Sequence, residues 1–244
     1  MNGITGWLAS FKQEFILNFI DKNRWQLLLE GLSNTVLIAF FACLIGIAIG
    51  MFIAIVRTTW EGKKPTNRVA RFLMGFLNWL CKLYVSVIRG TPVVVQLLLM
   101  YFVVFASSDN SLMVAILSFG INSGAYVAEI FRSGILSIEK GQMEAGRSLG
   151  LSYGKTMVLI IAPQVLRNVL PMLANEFISL LKETSVAGYV AVKDLTFAGN
   201  RIRGITYSPF MPLVAVAVMY LILVLGLSKL VATLERRLRQ GDLR

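Results

Sequence analysis

The sequence predicts an all-α membrane protein, and three observations support this fold class. Hydrophobic residues fill 56% of the 244 positions and charged residues only 15%, whereas a soluble domain carries about 25% charged residues. Long runs contain no Asp, Glu, Lys or Arg, and they cover 32–56, 93–108, 112–128 and 209–228. A helix needs about 20 apolar residues to cross the bilayer core. Open sheets would leave their backbone groups unsatisfied there, so these runs predict transmembrane helices.

We predict five crossings, with approximate bounds at 31–56, 90–107, 112–132, 167–190 and 209–232. The apolar segment 69–88 contains several polar residues. It is therefore either an interfacial helix or the cytoplasmic half of a broken span. A break is expected directly after it, because Thr91 can cap a helix whose first turn begins with Pro92.

The net charge of +11 comes from basic residues that border the apolar runs. They follow the first and last spans, as Arg57, Lys63, Lys64, Arg68 and Arg71, and then Arg236, Arg237, Arg239 and Arg244. The positive-inside rule makes both groups cytoplasmic, which predicts an outside N-terminus and an inside C-terminus. This placement argues against a nucleic-acid partner. Arg201 and Arg203 depart from the rule, since they fall in a segment expected outside.

The organisation expected from this pattern has three parts. Residues 1–30 form an N-terminal extracytoplasmic or interfacial segment, and residues 236–244 form a basic cytoplasmic tail. Residues 31–235 form the transmembrane domain, which includes a cytoplasmic helical segment at about 139–152. The chain has no histidine and only two cysteines, and its acidic residues form no cluster at metal-ligand spacing. We therefore predict no metal site.

Two spans carry small residues at every fourth position, namely Ala42, Gly46, Gly50 and Ala54 in the first, and Gly120, Gly124 and Ala128 in the third. Such ridges allow helix backbones to approach closely. The pattern predicts that these helices face protein rather than lipid.

Polar side chains form one stripe on each of two spans. The stripe of the fourth span contains Asn168, Asn175, Glu176, Ser179, Lys182 and Glu183, and that of the third contains Asn122, Tyr126, Glu129 and Ser133. Arg167 is expected near the cytoplasmic surface, where the fourth span enters the membrane. Glu176 follows it by nine residues, or about 13 Å of helix, which places Glu176 near the middle of a core about 30 Å thick. An ionisable residue at this depth indicates a substrate or ion pathway. The alternative is a structural bond to Asn122 or to a backbone group.

The stretch LGLSYGKT at 149–156 ends like the phosphate-binding pattern G-x-x-x-x-G-K-[ST]. The first glycine of that pattern would occupy position 149, which is Leu149. We therefore predict that this chain does not bind nucleotide.

Residues 139–149 have the pattern of a short cytoplasmic helix, and Gly150 suits the left-handed turn that ends one. Ala145 and Leu149, beside Met143 and Gly146, would form a small apolar face. Such a face is suited to docking in the groove of another protein.

This helix also carries a family resemblance. Glu144, Ala145, Gly146 and Gly150, followed by Ile160 and Pro163, resemble the EAA loop of binding-protein-dependent ABC importer permeases. Gly146 replaces the second alanine of the motif, and Ala162 replaces a leucine. Segments at 87–102, 123–135, 144–152 and 163–185 resemble the polar amino acid branch, and the similarity covers about 27–239.

The resemblance implies the type I ABC importer permease fold, with five transmembrane helices per subunit in a dimeric bundle. It implies residence in the bacterial cytoplasmic membrane and a second permease subunit, the same or related. It also implies an extracytoplasmic amino-acid-binding protein and cytoplasmic ABC ATPase subunits that hold ATP and Mg. Glu144, Ala145, Gly146 and Gly150 would couple to that ATPase. This chain would be neither an enzyme nor a cofactor carrier.

In such an importer we expect Glu176 to accept the ammonium group of an amino acid. Neutral hydrogen bonds would come from Asn122, Ser123, Asn175 and Ser179. Lys182 would either meet the substrate carboxylate or pair with Glu183. The alternative function is a secondary transporter or channel subunit that uses Glu176 as a proton or ion site.

Overall fold

The computed structural model describes residues 2–62 and 65–240, and every regular element among them is helical. In chain order the α-helices are α1 (Asn2–Phe15), α2 (Trp25–Gly62), α3 (Arg68–Gly90), α4 (Val93–Leu99), α5 (Ser111–Leu136), α6 (Lys140–Ser148), α7 (Tyr153–Thr156), α8 (Ala162–Glu183), α9 (Leu195–Thr206) and α10 (Phe210–Gln240). Of the basic residues assigned to cytoplasmic segments, Lys63, Lys64 and Arg244 lie outside the described residues, as does the side chain of Arg239.

Five helical stretches are long and apolar enough to cross a membrane, which confirms the predicted all-α fold and number of crossings. They are Trp25–Gly62, Arg68–Gly90, Ser111–Leu136, Tyr153–Val190 and Phe210–Leu238. The fourth stretch is continuous from α7 through a π-helical turn, Met157–Ile161, into α8. Several bounds extend beyond the predicted ones because a helix continues into the polar layers on either side of the apolar core. Hydropathy detects only the part inside that core.

The predicted bounds of the second crossing, 90–107, are wrong. The helix of crossing length is α3, whereas α4 and the π-helical turn after it form a shorter apolar helix ending at Val104. The break between α3 and α4 falls at Thr91 and Pro92, both in extended backbone, as the sequence indicated. Thr91 closes α3 rather than capping α4, because its Oγ1 donates to the carbonyl of Val87 at 2.9 Å.

The centre of the bundle is the parallel pair α2 and α5. Glycines on both helices permit the close approach: a Cβ added to Gly46 would lie 2.7 Å from Ser123 Oγ, and one added to Gly124 would lie 2.7 Å from Ile49 Cγ2. Neither distance leaves room for a methyl group. The expectation that the two small-residue ridges face protein is therefore confirmed.

The remaining long helices alternate in direction around this pair. α3 runs antiparallel to α2, with Gly75 beside Trp60 near one end, and α8 runs antiparallel to α5, with Val169 beside Gly134. The bundle consequently has two ends. We call the end that carries α6 the inner end and the end that carries α9 the outer end.

The outer end is held by α9. The buried Asp194 caps this helix, accepting from the backbone N–H of Thr196 at 2.9 Å and of Phe197 at 3.1 Å. Burial raises the pKa of the Asp194 carboxyl, and these N–H groups partly offset that effect. The N-terminal segment is joined to the same helix, since Thr206 Oγ1 donates to Asn18 Oδ1 at 2.7 Å.

Candidate functional site

Glu176 of α8 presents a carboxylate at the middle of the bundle. Its Oε1 accepts a hydrogen bond of 2.8 Å from Oγ of Ser123, the thirteenth of 26 residues in α5. Ser123 is fully buried and Glu176 half-buried. Within 2–62 and 65–240, no lysine or arginine nitrogen lies within 4.0 Å of this carboxylate. Since a carboxylate offers about four lone-pair sites, Glu176 can accept further bonds from a ligand.

Asn122 does not share this site, although it was expected to. Its Nδ2 donates to Gln96 Oε1 at 2.9 Å, and Gln96 Nε2 donates to the carbonyl of Ile88 at 2.7 Å and to Thr91 Oγ1 at 2.8 Å. Neighbouring residues of a helix point about 100° apart, which explains why Asn122 and Ser123 face different helices. The suggested structural bond between Glu176 and Asn122 is therefore wrong.

Gln96 was not among the residues singled out from the sequence. Its side-chain amide donates to the free carbonyl of Ile88 near the end of α3 and to Thr91 at the break between α3 and α4. The same amide accepts from Asn122, so it links this break to α5. The signal that could have revealed it is its position, as the amide of an otherwise apolar run from 93 to 106.

The other members of the fourth-span stripe spread over two faces. Asn175 is exposed, and its Nδ2 donates to the carbonyl of Pro171 at 3.0 Å. The residue lines a cleft of about 330 Å³, which Glu235 of α10 also lines. Ser179 is half-buried one turn after Glu176, on the same face. Among the described residues Lys182 and Glu183 form no ion pair within 4.0 Å, because consecutive residues of a helix diverge.

A second charged cluster lies nearer the inner end, where the third-span stripe meets α2. Glu129 accepts from Arg57 Nη1 at 2.5 Å and from Arg132 Nε at 3.0 Å. Arg57 was assigned to a cytoplasmic loop, which is wrong: it is a buried residue of α2. The guanidinium of Arg89 stacks over the ring of Tyr126 at 5.4 Å from its centre.

At the inner end, α6 has the form that the sequence predicted. Glu139 is its N-cap residue, and Gly150 follows it in the left-handed region with φ of 85°. The backbone N–H of Leu151 donates to the carbonyl of Gly146 at 3.1 Å, and that of Gly150 to Arg147 at 3.0 Å. This pair of bonds is the Schellman motif, which confirms the expected role of Gly150 in ending the helix.

The two sides of α6 differ in what they contact. Glu144, Ala145 and Leu149 are exposed, with Leu149 81% accessible. Gly146 is buried instead, and a Cβ there would lie 2.5 Å from Thr156 Cγ2. The structure thus turns Gly146 toward its own bundle, as it does Met143, which packs on the core. The exposed apolar surface consists of Ala145 and Leu149.

The described residues contain no group of three or more His, Cys, Asp or Glu side chains placed to hold a metal ion. Cys43 and Cys81 are both buried as free thiols.

Curated relatives match almost the whole chain. The arginine transport system permease protein ArtQ of Bacillus subtilis is 33% identical over 218 residues, which cover 88% of this chain and 94% of ArtQ. The glutamine transport system permease protein GlnP of Escherichia coli K12 is 38% identical over 217 residues, covering 87% and 93%.

Solved structures agree with this relationship. A crystal structure of an amino acid ABC transporter with histidines contains a chain with a TM-score of 0.78 and 36% identity, covering 90% of this chain and 98% of that one. The MetNI methionine ABC transporter, in inward-facing conformations, has a TM-score of 0.73 at 21% identity and so supports the fold alone.

The family described as the inner membrane component of binding-protein-dependent transport systems matches residues 46–240. This match covers most of the chain and agrees with the five crossings, the relatives and the structural neighbours. The chain therefore belongs to this family of ABC importer permeases, and it has the type I importer permease fold.

Proposed function

We propose that the chain is the permease subunit of an ATP-driven importer of polar or charged amino acids. It would pair with a second permease subunit, the same or related, to enclose the translocation pathway. An extracytoplasmic binding protein would deliver the amino acid, and cytoplasmic ABC ATPase subunits would bind ATP and Mg. The family description and the names of the arginine and glutamine relatives support this proposal.

The observation that carries the substrate assignment is the carboxylate of Glu176. It lies at mid-depth with Ser123 as its neutral partner and with no cation within 4.0 Å among the described residues. An ionised group at this depth is costly without a partner. The ammonium group of an amino acid, or a cationic side chain, would supply a charge-assisted bond. Ser123 and Ser179 lie on the same side, whereas Asn122 and Asn175 would contribute only after a rearrangement.

We infer the orientation in the membrane from the basic residues. The inner end carries α6 and the start of α3 with Arg68 and Arg71, and α10 ends there with Arg236 and Arg237. The positive-inside rule makes this end cytoplasmic, which leaves the N-terminus outside the bacterial cytoplasmic membrane. In this orientation α6 faces the ATPase.

The other candidate function, a secondary transporter or channel subunit with Glu176 as a proton or ion site, is not favoured. Its support was the mid-depth carboxylate alone, whereas family membership covers residues 46–240.

Uptake in reconstituted vesicles tests the substrate site. We expect Glu176→Gln to reduce ATP-dependent uptake of labelled L-glutamine or L-arginine by about 10- to 100-fold, since a hydrogen bond to a charged group contributes about 1.5–3 kcal/mol. The vesicles must contain the partner ATPase and the binding protein.

Glu30→Gln is the matched control, because Glu30 is 52% exposed and lies 3.7 Å from the exposed Lys193 at the outer end. Equal uptake by wild type and Glu176→Gln, with assembly intact, would exclude Glu176 as the ammonium site.

Co-purification tests the coupling surface. We expect Leu149→Asp and Ala145→Asp to abolish recovery of the ATPase in detergent, because each places a charge on the exposed apolar surface of α6. Lys155→Glu changes an exposed charge on the adjacent α7 and should leave recovery unchanged. Full recovery with both α6 variants would show that the ATPase docks elsewhere.

A further inference from the structure

A cleft of about 340 Å³ opens between α2, α3 and α5 on the inner side of Glu176. It is lined by Arg57, Lys82, Val85, Ser86, Arg89 and Glu129. Its volume lies within the range of about 300–1,000 Å³ that ligand pockets occupy. Lys82, Ser86 and Arg89 are exposed, so the cleft is open at the surface of the chain.

Positive charge exceeds negative charge in this cleft. Among the described residues, three cations line it and Glu129 is the one carboxylate. Both oxygens of Glu129 are already engaged, by Arg57 and by Arg132. In the described part of the chain, neither Lys82 nor Arg89 has a carboxylate oxygen within 4.0 Å. Two cations of the lining therefore have no anionic partner within the part of the chain that the structure describes.

Arg57 provides an independent indication that the cleft favours an anion. The residue is only 9% exposed, and its Nε is buried with no hydrogen-bond partner among the described residues. Leaving a donor of a charged group unsatisfied in a buried place costs free energy. An oxyanion in the cleft would form a charge-assisted interaction with the Arg57 guanidinium, and a small rotation of that side chain would bring Nε within its reach.

The depth of the cleft distinguishes between possible anions. Glu129 follows Ser123 by six residues, so it lies about 9 Å from mid-depth along α5. Lipid headgroups begin about 15 Å from the middle of the bilayer. A phospholipid headgroup would have to be drawn into the core to reach Arg89, whereas a solute in an aqueous pathway would meet these side chains as it passed.

We propose that this cleft binds the carboxylate group of a solute in the inner half of the pathway, through Lys82, Arg89 and Arg57. The identity of that solute as an amino acid rests on the proposed function. This basic site is separate from Glu176: the cleft lies on the side of α5 that faces α3, whereas Ser123 meets Glu176 on the side that faces α8.

A thiol placed in the cleft reports its charge directly. The protein is the full chain in detergent with Cys43→Ala, Cys81→Ala and Ser86→Cys. Its modification rate is measured with an anionic reagent, sulfonatoethyl methanethiosulfonate, and with the cationic trimethylammonioethyl analogue. We expect the ratio of the anionic to the cationic modification rate to be at least about tenfold higher than for a free small thiol. Acetate should slow the reaction with the anionic reagent, whereas acetamide should not.

Matched substitutions identify the cause. Lys82→Gln with Arg89→Gln should return the rate ratio to that of the free thiol, whereas Arg203→Gln on the exposed face of α9 should not change it. If Ser86→Cys does not accumulate, Gly90→Cys serves as the reporter: Gly90 lies one helical turn after Ser86 on the same face of α3 and beside the lining residue Arg89, and no described atom lies within 4 Å of a Cβ placed there.

Two results would overturn the proposal. A rate ratio equal to that of the free thiol would mean that the cluster is a closed structural network. Protection by added phosphatidylglycerol and not by acetate would assign the cleft to a lipid headgroup. The labelling needs neither ATPase nor binding protein. Its outcome is therefore independent of the uptake assay with Glu176→Gln, and either proposal can fail without the other.

Discussion

Gly141 and Gly146 lie in the same short helix, α6, yet the structure predicts opposite effects of replacing them by alanine. Intrinsic helix propensity favours both changes, since glycine is about 1 kcal/mol less favourable than alanine in a helix interior. Among the atoms of the described residues, none lies within 4 Å of a Cβ at Gly141. At Gly146 a Cβ would lie 2.5 Å from Thr156 Cγ2, 3.0 Å from Thr156 Oγ1 and 3.1 Å from Ile160 Cδ1.

The size of the difference follows from these distances. Carbon atoms in favourable contact are about 3.5–4.0 Å apart, so the methyl group at position 146 is about 1 Å too close to Thr156. Thr156 cannot easily turn away, because it is fully buried and its Oγ1 donates to the carbonyl of Ser152 at 3.1 Å. Overpacking of this kind costs about 1–3 kcal/mol, which exceeds the propensity gain.

Hydrogen–deuterium exchange measures the local stability of α6 without requiring the bundle to unfold. For peptides covering 139–152, we expect Gly141→Ala to slow exchange by up to about fivefold, corresponding to about 1 kcal/mol. Gly146→Ala should accelerate it by up to about 30-fold, corresponding to about 2 kcal/mol.

Equal slowing of exchange in both variants would refute the reasoning. It would mean that α6 can move away from α7 at no cost, so that position 146 responds to helix propensity alone. The clash would be supported if Gly146→Ala accelerates exchange and the added substitution Thr156→Ser slows it again, since serine lacks the Cγ2 atom that lies nearest to the new methyl group.

Two further predictions concern the bundle itself, measured as the Tm of the detergent-purified chain. Glu129→Gln should destabilise the fold by about 2–3 kcal/mol, somewhat less than for a fully buried pair because Glu129 is 24% exposed. The control Glu30→Gln removes an exposed ion pair and should cost less than about 1 kcal/mol. Equal Tm shifts in the two variants would remove the case for a buried network. Gly50→Ala should cost about 1–3 kcal/mol because its Cβ would lie 2.5 Å from Val127 Cγ1 and 2.7 Å from the backbone N of Ala128. Gly226→Ala on α10, with open space around its Cβ among the described residues, should not lower Tm and should raise it if helix propensity contributes, and matching losses in both variants would mean that α2 and α5 do not approach as described.

Features of single helices could be read from the sequence. Four of the five crossings follow from runs of apolar residues, because each helix satisfies its own backbone bonds and partitions by its own composition. The Schellman motif at Gly150 follows from local backbone geometry. The break before Pro92 is local as well, and so is the stripe that carries Glu176.

The second crossing shows where composition is insufficient. α3 is amphipathic, and its polar residues look unsuited to a membrane when each is counted alone. Asn78 is buried and Arg89 stacks on Tyr126 because α2 and α5 cover that face. Hydropathy cannot register such shielding, since it depends on neighbours that are distant in sequence.

Sequence alone determined that this protein is a helical membrane bundle with a carboxylate at mid-depth and a short inner helix ended by glycine. Only the tertiary structure decided which partners those groups meet. Ser123 rather than Asn122 reaches Glu176, and Arg57 reaches Glu129, 72 positions away along the chain. The physical reason is that the offset and rotation between packed helices set these contacts, and a shift of one residue turns a side chain by about 100°.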